Sequence, residues 1–221
     1  VIDLGCGVGT SARYAINNFP NTVIIAATIV PWQIEMGQRL STDETYKGRL
    51  RFELMDYCHL KLENDQCDGA YAIESSCYDH GKDKRAFLAE AFRVLKPGAR
   101  LVVADGFTKG AQHTRLFSYL YRRVCNGWAL QDFAGLDEFK DALGDIGYVD
   151  IKVQEASWRV ALSVSYVPWV SLKYFFKSIF LRKKDRRIQM GHFIAPVYGV
   201  LMGLHRRQYG YHIISARKPS D

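Results

Sequence analysis

Three stretches of the chain hold side chains whose types and spacing could do chemistry. The first is Asp3-Leu4-Gly5-Cys6-Gly7-Val8-Gly9-Thr10. Glycine at alternate positions makes a loop without Cβ atoms, so a ligand can approach its backbone closely. The helix-compatible run from Ser11 to Ile16 would present free N–H groups behind it. Two classes of nucleotide use such a strand, turn and helix. The dinucleotide fingerprint spaces its glycines G-x-G-x-x-G and seats a pyrophosphate. Here the spacing is G-x-G-x-G, and Asp3 lies two residues ahead of the first glycine. A carboxylate there repels a pyrophosphate and suits a cationic ligand. The second stretch, Glu74-Ser75-Ser76-Cys77-Tyr78-Asp79-His80, puts an acid and candidate proton acceptors at the end of an apolar run. The third is the aromatic second half, where Trp128, Trp158, Trp169, Tyr174 and Phe176 can offer apolar surface and π faces to a substrate.

Positioning these residues takes a particular set of elements. A first helix runs to about Asn17, and Asn-Phe-Pro-Asn breaks it. Thr22 to Ile29 is a continuous β-branched run, expected as a strand buried on both faces. Pro31 opens a helix from Gln33 to about Leu40. Arg49 to Met55 reads as a third strand ending at Asp56, and Cys67 to Ile73 as a fourth ending at Glu74. A helix from Asp83 to Leu95 stops at Lys96-Pro97-Gly98, and Arg100 to Ala104 is a fifth strand. This alternation predicts an α/β fold with a doubly wound, mostly parallel sheet. Ligands of such sheets sit beyond the carboxyl ends of the strands, which would gather Asp3, Thr28, Asp56, Glu74 and Asp105 into one crevice.

The second half is less regular. Phe107 to Phe133 reads as a variable, aromatic-rich connection. Asp137 to Leu143 is expected as a helix, Tyr148 to Glu155 as a sixth strand and Tyr211 to Ala216 as the closing strand. Between those last two strands a hairpin turn would suffice, yet residues 157–207 intervene. About fifty residues in that place exceed an ordinary loop and point to a functional helical cap.

The 221 residues, 48% of them hydrophobic, fit one globular domain with a full core. Five cysteines without a C-x-x-C pair suggest neither a disulfide framework nor a zinc knuckle, so no metal and reduced, cytoplasmic thiols are expected. The net charge of +7 favours an anionic partner or a membrane surface. Nucleic acid is not expected, because the aromatics form no stacking-platform motif. Apolar stretches such as Phe193 to Leu204 are too short to span a bilayer.

The string D-L-G-C-G-x-G resembles the first motif of class I S-adenosylmethionine-dependent methyltransferases. The resemblance implies a Rossmann-like methyltransferase fold and S-adenosylmethionine as cofactor, held by Asp3, Gly5, Gly7 and Gly9, with Asp56 and Tyr57 at the adenine. It also implies helices ahead of Val1 that help to close the cofactor site, since the chain starts in mid-strand without Met. The commonest pattern of the class places an acid at the end of the second strand for the ribose, where this chain has Ala26-Ala27-Thr28-Ile29. Its Thr28-x-x-Pro31-x-Gln33 is instead similar to the tocopherol and sterol C-methyltransferase group, which puts Thr28 and Gln33 near the ribose. Tyr71-Ala72-Ile73-Glu74-Ser75-Ser76-Cys77-Tyr78 resembles a segment of sterol methyltransferases, with Tyr78 where that group usually has His.

On this resemblance the expected activity is methylation of a hydrophobic small molecule, foremost C-methylation of a sterol- or isoprenoid-like chain. Glu74 and Tyr78 would stabilise a carbocation, and His80 would accept a proton. Glu74 has a second reading as a cofactor contact. Asp79 and His113 are further candidate bases. Trp128, Trp169, Tyr174 and Phe176 would line the substrate site. Leu172, Phe175, Phe176, Ile179 and Phe180 recur at helical spacing among Lys173, Lys177, Arg182, Lys183 and Lys184, an amphipathic pattern suited to peripheral contact with an anionic membrane. O- or N-methylation of a natural product, and a non-catalytic cofactor-binding module, are the alternatives. Oligomeric state is not legible.

Overall fold

The computed structural model describes residues 1–110, 112–167, 169–170, 172–173 and 194–220. Its sheet has eight strands. β1 (Ile2–Leu4), β2 (Ile24–Thr28), β3 (Leu50–Leu54), β4 (Cys67–Ile73), β5 (Leu95–Thr108), β7 (Val149–Glu155) and β8 (Tyr209–Arg217) lie in the order β3-β2-β1-β4-β5-β8-β7, and β6 (Ala134–Gly135) pairs with β5. Pairing is parallel except for β8, which runs antiparallel to both β5 and β7. The chain steps outward from β1 to β3 and then returns to lay β4 on the other side of β1. The switch point therefore falls between β1 and β4, where Asp3 pairs with Tyr71.

Helices α1 (Thr10–Asn18), α2 (Pro31–Arg39), α3 (Arg85–Val94), α4 (Arg115–Trp128), α5 (Leu136–Ile146) and α6 (Ser157–Ser165) connect the strands, and residues 194–203 are also helical. α3 shows why the sequence folds this way. Phe87, Leu88, Ala91 and Val94 recur at i, i+1, i+4 and i+7, and all four are buried against strand residues such as Leu101 and Val103.

The expected α/β architecture is present, with several boundaries moved. Residues 107–133, expected as an irregular connection, contain the fourteen-residue helix α4, whose Phe117, Leu120 and Val124 form a second apolar cluster with Met202. Lys96-Pro97-Gly98 does not stand outside the sheet. It forms a bulge within β5, where the register passes from Cys67 opposite Leu95 to Gly69 opposite Arg100. Asp105 is accordingly inside β5 rather than at its end, and β8 begins two residues earlier than expected, which brings Tyr209 into the sheet. The amphipathic pattern around Phe175 to Lys184 lies outside the described residues. Among the described residues no helix is long and apolar enough to cross a membrane.

Candidate active site

β1 is buried along its whole length, so its chain must leave the sheet through a turn that closes on β2 and β4. Gly5 and Cys6 N–H both donate to the Ala27 carbonyl, and Ser75 Oγ donates to the Leu4 carbonyl. Gly5 has φ +94°, and a Cβ on it would stand 2.4 Å from the Ser75 Cβ. Gly9, at φ +77°, would place a Cβ 2.5 Å from the Phe52 ring. Arg13 straps the turn by donating to the Val8 carbonyl at 2.7 Å. α1 then starts without a side-chain cap or an acid in its first turn, leaving its N-terminal N–H groups free for a ligand. Gly9→Ala is expected to cost about 2 to 4 kcal/mol in chemical denaturation, the sum of left-handed backbone strain and overpacking.

Asp3 sits in the middle of β1 and is only 2% exposed. Tyr71 Oη donates to its Oδ2 at 2.9 Å, and among the described residues no cation pairs with it. Burial raises its pKa to about 7, against the opposing effect of the Tyr71 bond. A buried carboxylate held this way gains most from a positively charged ligand.

Thr28 and Gln33 are brought together, though not as equals. Thr28 Oγ1 donates to Gln33 Oε1 at 2.6 Å and accepts from Val30 N–H, so its hydroxyl proton is used within the fold. Gln33 Nε2 has no partner among the described residues and is the better placed group for a ligand hydroxyl. Asp56 is exposed just beyond β3, its Oδ1 accepting from Cys58 N–H at 2.9 Å. Tyr57 Oη donates to the Ser75 carbonyl, which ties this corner to the glycine turn.

Beyond β4 the backbone turns through Glu74, a non-glycine residue at φ +53°, into a cavity of about 1020 Å³. Glu74, Tyr78, Asp105, Tyr209 and Tyr211 supply its polar side, while Trp128, Phe133, Trp158 and Val160 are among its apolar walls. Asp105 is fully enclosed. It accepts from Ser76 Oγ, Cys77 N–H and Gly106 N–H, yet burial still raises its pKa to about 6. Lys84 is also fully buried, and its Nζ donates to the carbonyls of Cys77, Asp79 and Asp132. One ammonium thereby joins the segment after Glu74 to the segment before Phe133.

Other expectations for this region change. His80 is exposed and does not line the cavity. Its Nδ1 lies 2.6 Å from Gln131 Oε1, because the buried Asp79 turns the chain outward by accepting from His80 and Phe87 N–H. Asp79 is thus a structural acceptor. His113 packs on Phe117 rather than on the cavity. Trp169 is 69% exposed and outside the lining, whereas its neighbours Val167 and Val170 are inside it. Tyr174 and Phe176 lie outside the described residues. The described part of the cap contributes Trp158, Val160 and Ala161 from α6 and Pro196 to Leu204 around the later helix.

Residues 1–98, which carry the glycine turn, Asp56 and Glu74, match a family model described as a methyltransferase domain. The chain is 25% identical over 224 residues to a probable chloroplastic tocopherol O-methyltransferase of Oryza sativa subsp. japonica, covering 99% of this chain and 60% of that protein. It is 29% identical over 163 residues to the 2-methyl-6-phytyl-1,4-hydroquinone methyltransferase of Synechocystis, covering 72% of this chain and 49% of that one. Its first 98 residues are a methyltransferase domain, and the chain is similar to class I S-adenosylmethionine-dependent methyltransferases. It spans about half to three fifths of the length of these two relatives. The fold is that of a crystal structure of a putative sarcosine dimethylglycine methyltransferase from Galdieria sulphuraria, with TM-score 0.77, 17% identity and coverage of 99% of this chain and 78% of that one.

The methyltransferase turn fits S-adenosylmethionine on its own geometry. Asp3 is a buried carboxylate lacking a cation, which suits the positively charged methionine end. A Cβ at Gly7 would meet nothing within 4 Å, so the turn is open on the side where a ligand must approach. Gln33 Nε2 would serve the ribose, and Asp56 the adenine amino group. Among the described residues no group of three or more His, Cys, Asp or Glu could hold a metal ion.

Proposed function

We propose that this methyltransferase alkylates a hydrophobic small molecule, foremost at carbon on an isoprenoid- or sterol-like acceptor. The observation that carries the proposal is the largely apolar cavity of about 1020 Å³ whose acidic end, Glu74, directly precedes the residue that locks the glycine turn. That volume lies at the upper end of ordinary small-molecule sites and suits a prenyl chain or fused rings.

When bound, S-adenosylmethionine supplies an electrophilic methyl group on a permanently positive sulfur. The chain's task is then alignment, exclusion of water and stabilisation of charge on the acceptor. A π-bond of the acceptor would take up the methyl group that the cofactor supplies, leaving positive charge on the acceptor's adjacent carbon. The Glu74 carboxylate and the π faces of Tyr78 and Trp128 lie in the wall that would face this charge. Loss of a proton from the neighbouring carbon to Glu74 restores the double bond. The rim of the cavity is apolar and exposed at Trp158 (77%) and Leu204 (72%), which supports entry of such an acceptor from an anionic membrane surface.

O-methylation of a phenol is the second reading. It is favoured by the name of the rice relative, and Glu74 would act in it as the base for the hydroxyl proton. The test supplies labelled S-adenosylmethionine with a sterol, a prenylated hydroquinone and a simple phenol in parallel. Label on carbon of an isoprenoid or prenylated acceptor is the expected result. Label on oxygen alone selects the second reading, and failure to bind S-adenosylhomocysteine on titration overturns both.

A further inference from the structure

β8 sends Tyr209 and Tyr211, two residues apart and on one face, into the cavity wall. Their hydroxyls are not equivalent. Tyr211 Oη donates to the Ala104 carbonyl at 3.3 Å and stands beside the Glu74 carboxylate. Tyr209 Oη has no hydrogen-bond partner among the described residues. An unpaired phenol hydroxyl in the wall of a mostly apolar chamber is a donor and acceptor open to a ligand.

The position of that hydroxyl is built into the fold. A Cβ at Gly106 would stand 1.8 Å from Tyr209 Oη and 2.6 Å from its Cζ, so only glycine leaves room for the ring. Gly106 has no positive φ, which means that the tyrosine and not the backbone requires glycine there. Phe133 packs edge-on against the Tyr209 ring with centroids 5.4 Å apart. Neighbouring Asp105 has its oxygens occupied by Ser76, Cys77 and Gly106. Burial first, then the nearby Asp105, hold the Tyr209 phenol well above its ordinary pKa, leaving a neutral donor.

Resting on the methyl-transfer reading, the geometry points to Tyr209 as the residue that hydrogen-bonds a hydroxyl or carbonyl of the acceptor, so that the cavity takes an uncharged, apolar molecule with one polar head. The head lies at β5 and β8 beside Glu74, and the apolar remainder runs along Trp128, Val160 and Met202. An anionic head is disfavoured at that end. Arg206 is the one cation among the described lining residues, and it is engaged with Glu155 and lies over the Trp158 ring.

Binding to the protein loaded with S-adenosylhomocysteine, followed by tryptophan fluorescence, tests the assignment with geranylhydroquinone and with geranylbenzene, which lacks hydroxyls. Tyr209→Phe is expected to weaken geranylhydroquinone about tenfold, the value of one hydrogen bond. It should leave geranylbenzene and S-adenosylhomocysteine unchanged. Gly106→Ala should give the same selective loss by displacing the ring. Equal losses for both probes, no loss for geranylhydroquinone, or a wild-type preference for geranyl diphosphate over both overturns the assignment while the methyltransferase reading stands. A wild-type chain that does not bind S-adenosylhomocysteine overturns the two together.

Discussion

Glu74→Gln is expected to lower turnover on an isoprenoid acceptor by about 10²- to 10³-fold, as loss of one preorganised electrostatic contact does elsewhere. The substitution keeps the shape of the side chain and removes its charge. Charge matters because the methylated alkene is cationic until it loses a proton, and no other carboxylate in the described wall is free to replace Glu74. Asp105 is enclosed and already accepts three hydrogen bonds. S-adenosylhomocysteine should bind the variant as it binds the wild type, which separates the role in chemistry from a cofactor contact. Single-turnover rates with saturating cofactor make the measurement. An unchanged rate would remove Glu74 from the chemistry, and a loss of cofactor affinity matching the loss of rate would reassign it to the cofactor.

The first hundred residues were legible because their signals are local. Glycine spacing, β-branched runs and the strand-end acids Asp56 and Glu74 lie within short windows, and parallel strands joined by helices leave few topologies open. The groups that were missed owe their roles to long-range pairing. Gly106 meets Tyr211 across more than a hundred residues, and nothing near Tyr209 in sequence marks it as a cavity residue. Lys84 carries no local signal of its role either, since a buried lysine is rare and its three carbonyl partners come from two segments, Cys77 and Asp79 ahead of the helix and Asp132 far beyond it. α4 did carry a signal. Phe117, Leu120 and Val124 have helical spacing, which the density of aromatic residues between them obscured. His80 shows the opposite error, a chemically apt residue whose direction is set by Asp79 and not by its own type.

Affinity for S-adenosylmethionine, measured without an acceptor, is expected to rise about tenfold per pH unit up to about pH 7 and then level off. The reason is Asp3, which burial holds at a pKa of about 7 in the free chain. Below that pH the group is a neutral acid, and binding a cation must first expel its proton. Above it the carboxylate is already charged. The same shift acts on stability with the opposite sign. The folded chain binds this proton more tightly than the unfolded chain does, so the contribution of Asp3 favours folding below the ordinary carboxylate range and is lost as pH rises through about 7. Cofactor therefore raises the melting temperature more at pH 8 than at pH 6. Asp3→Asn retains an acceptor for Tyr71 and removes the charge. It is expected to weaken the cofactor about 10²-fold at pH 8, equivalent to about 2 to 3 kcal/mol for a charged hydrogen bond, and to flatten the pH dependence. Calorimetry in buffers of differing ionisation enthalpy checks the mechanism directly, since wild type should release a proton on binding below pH 7 and the variant should not. A wild-type affinity that is flat from pH 5.5 to 8.5 would mean that Asp3 serves the turn through Tyr71 alone, with the cofactor's positive end held elsewhere.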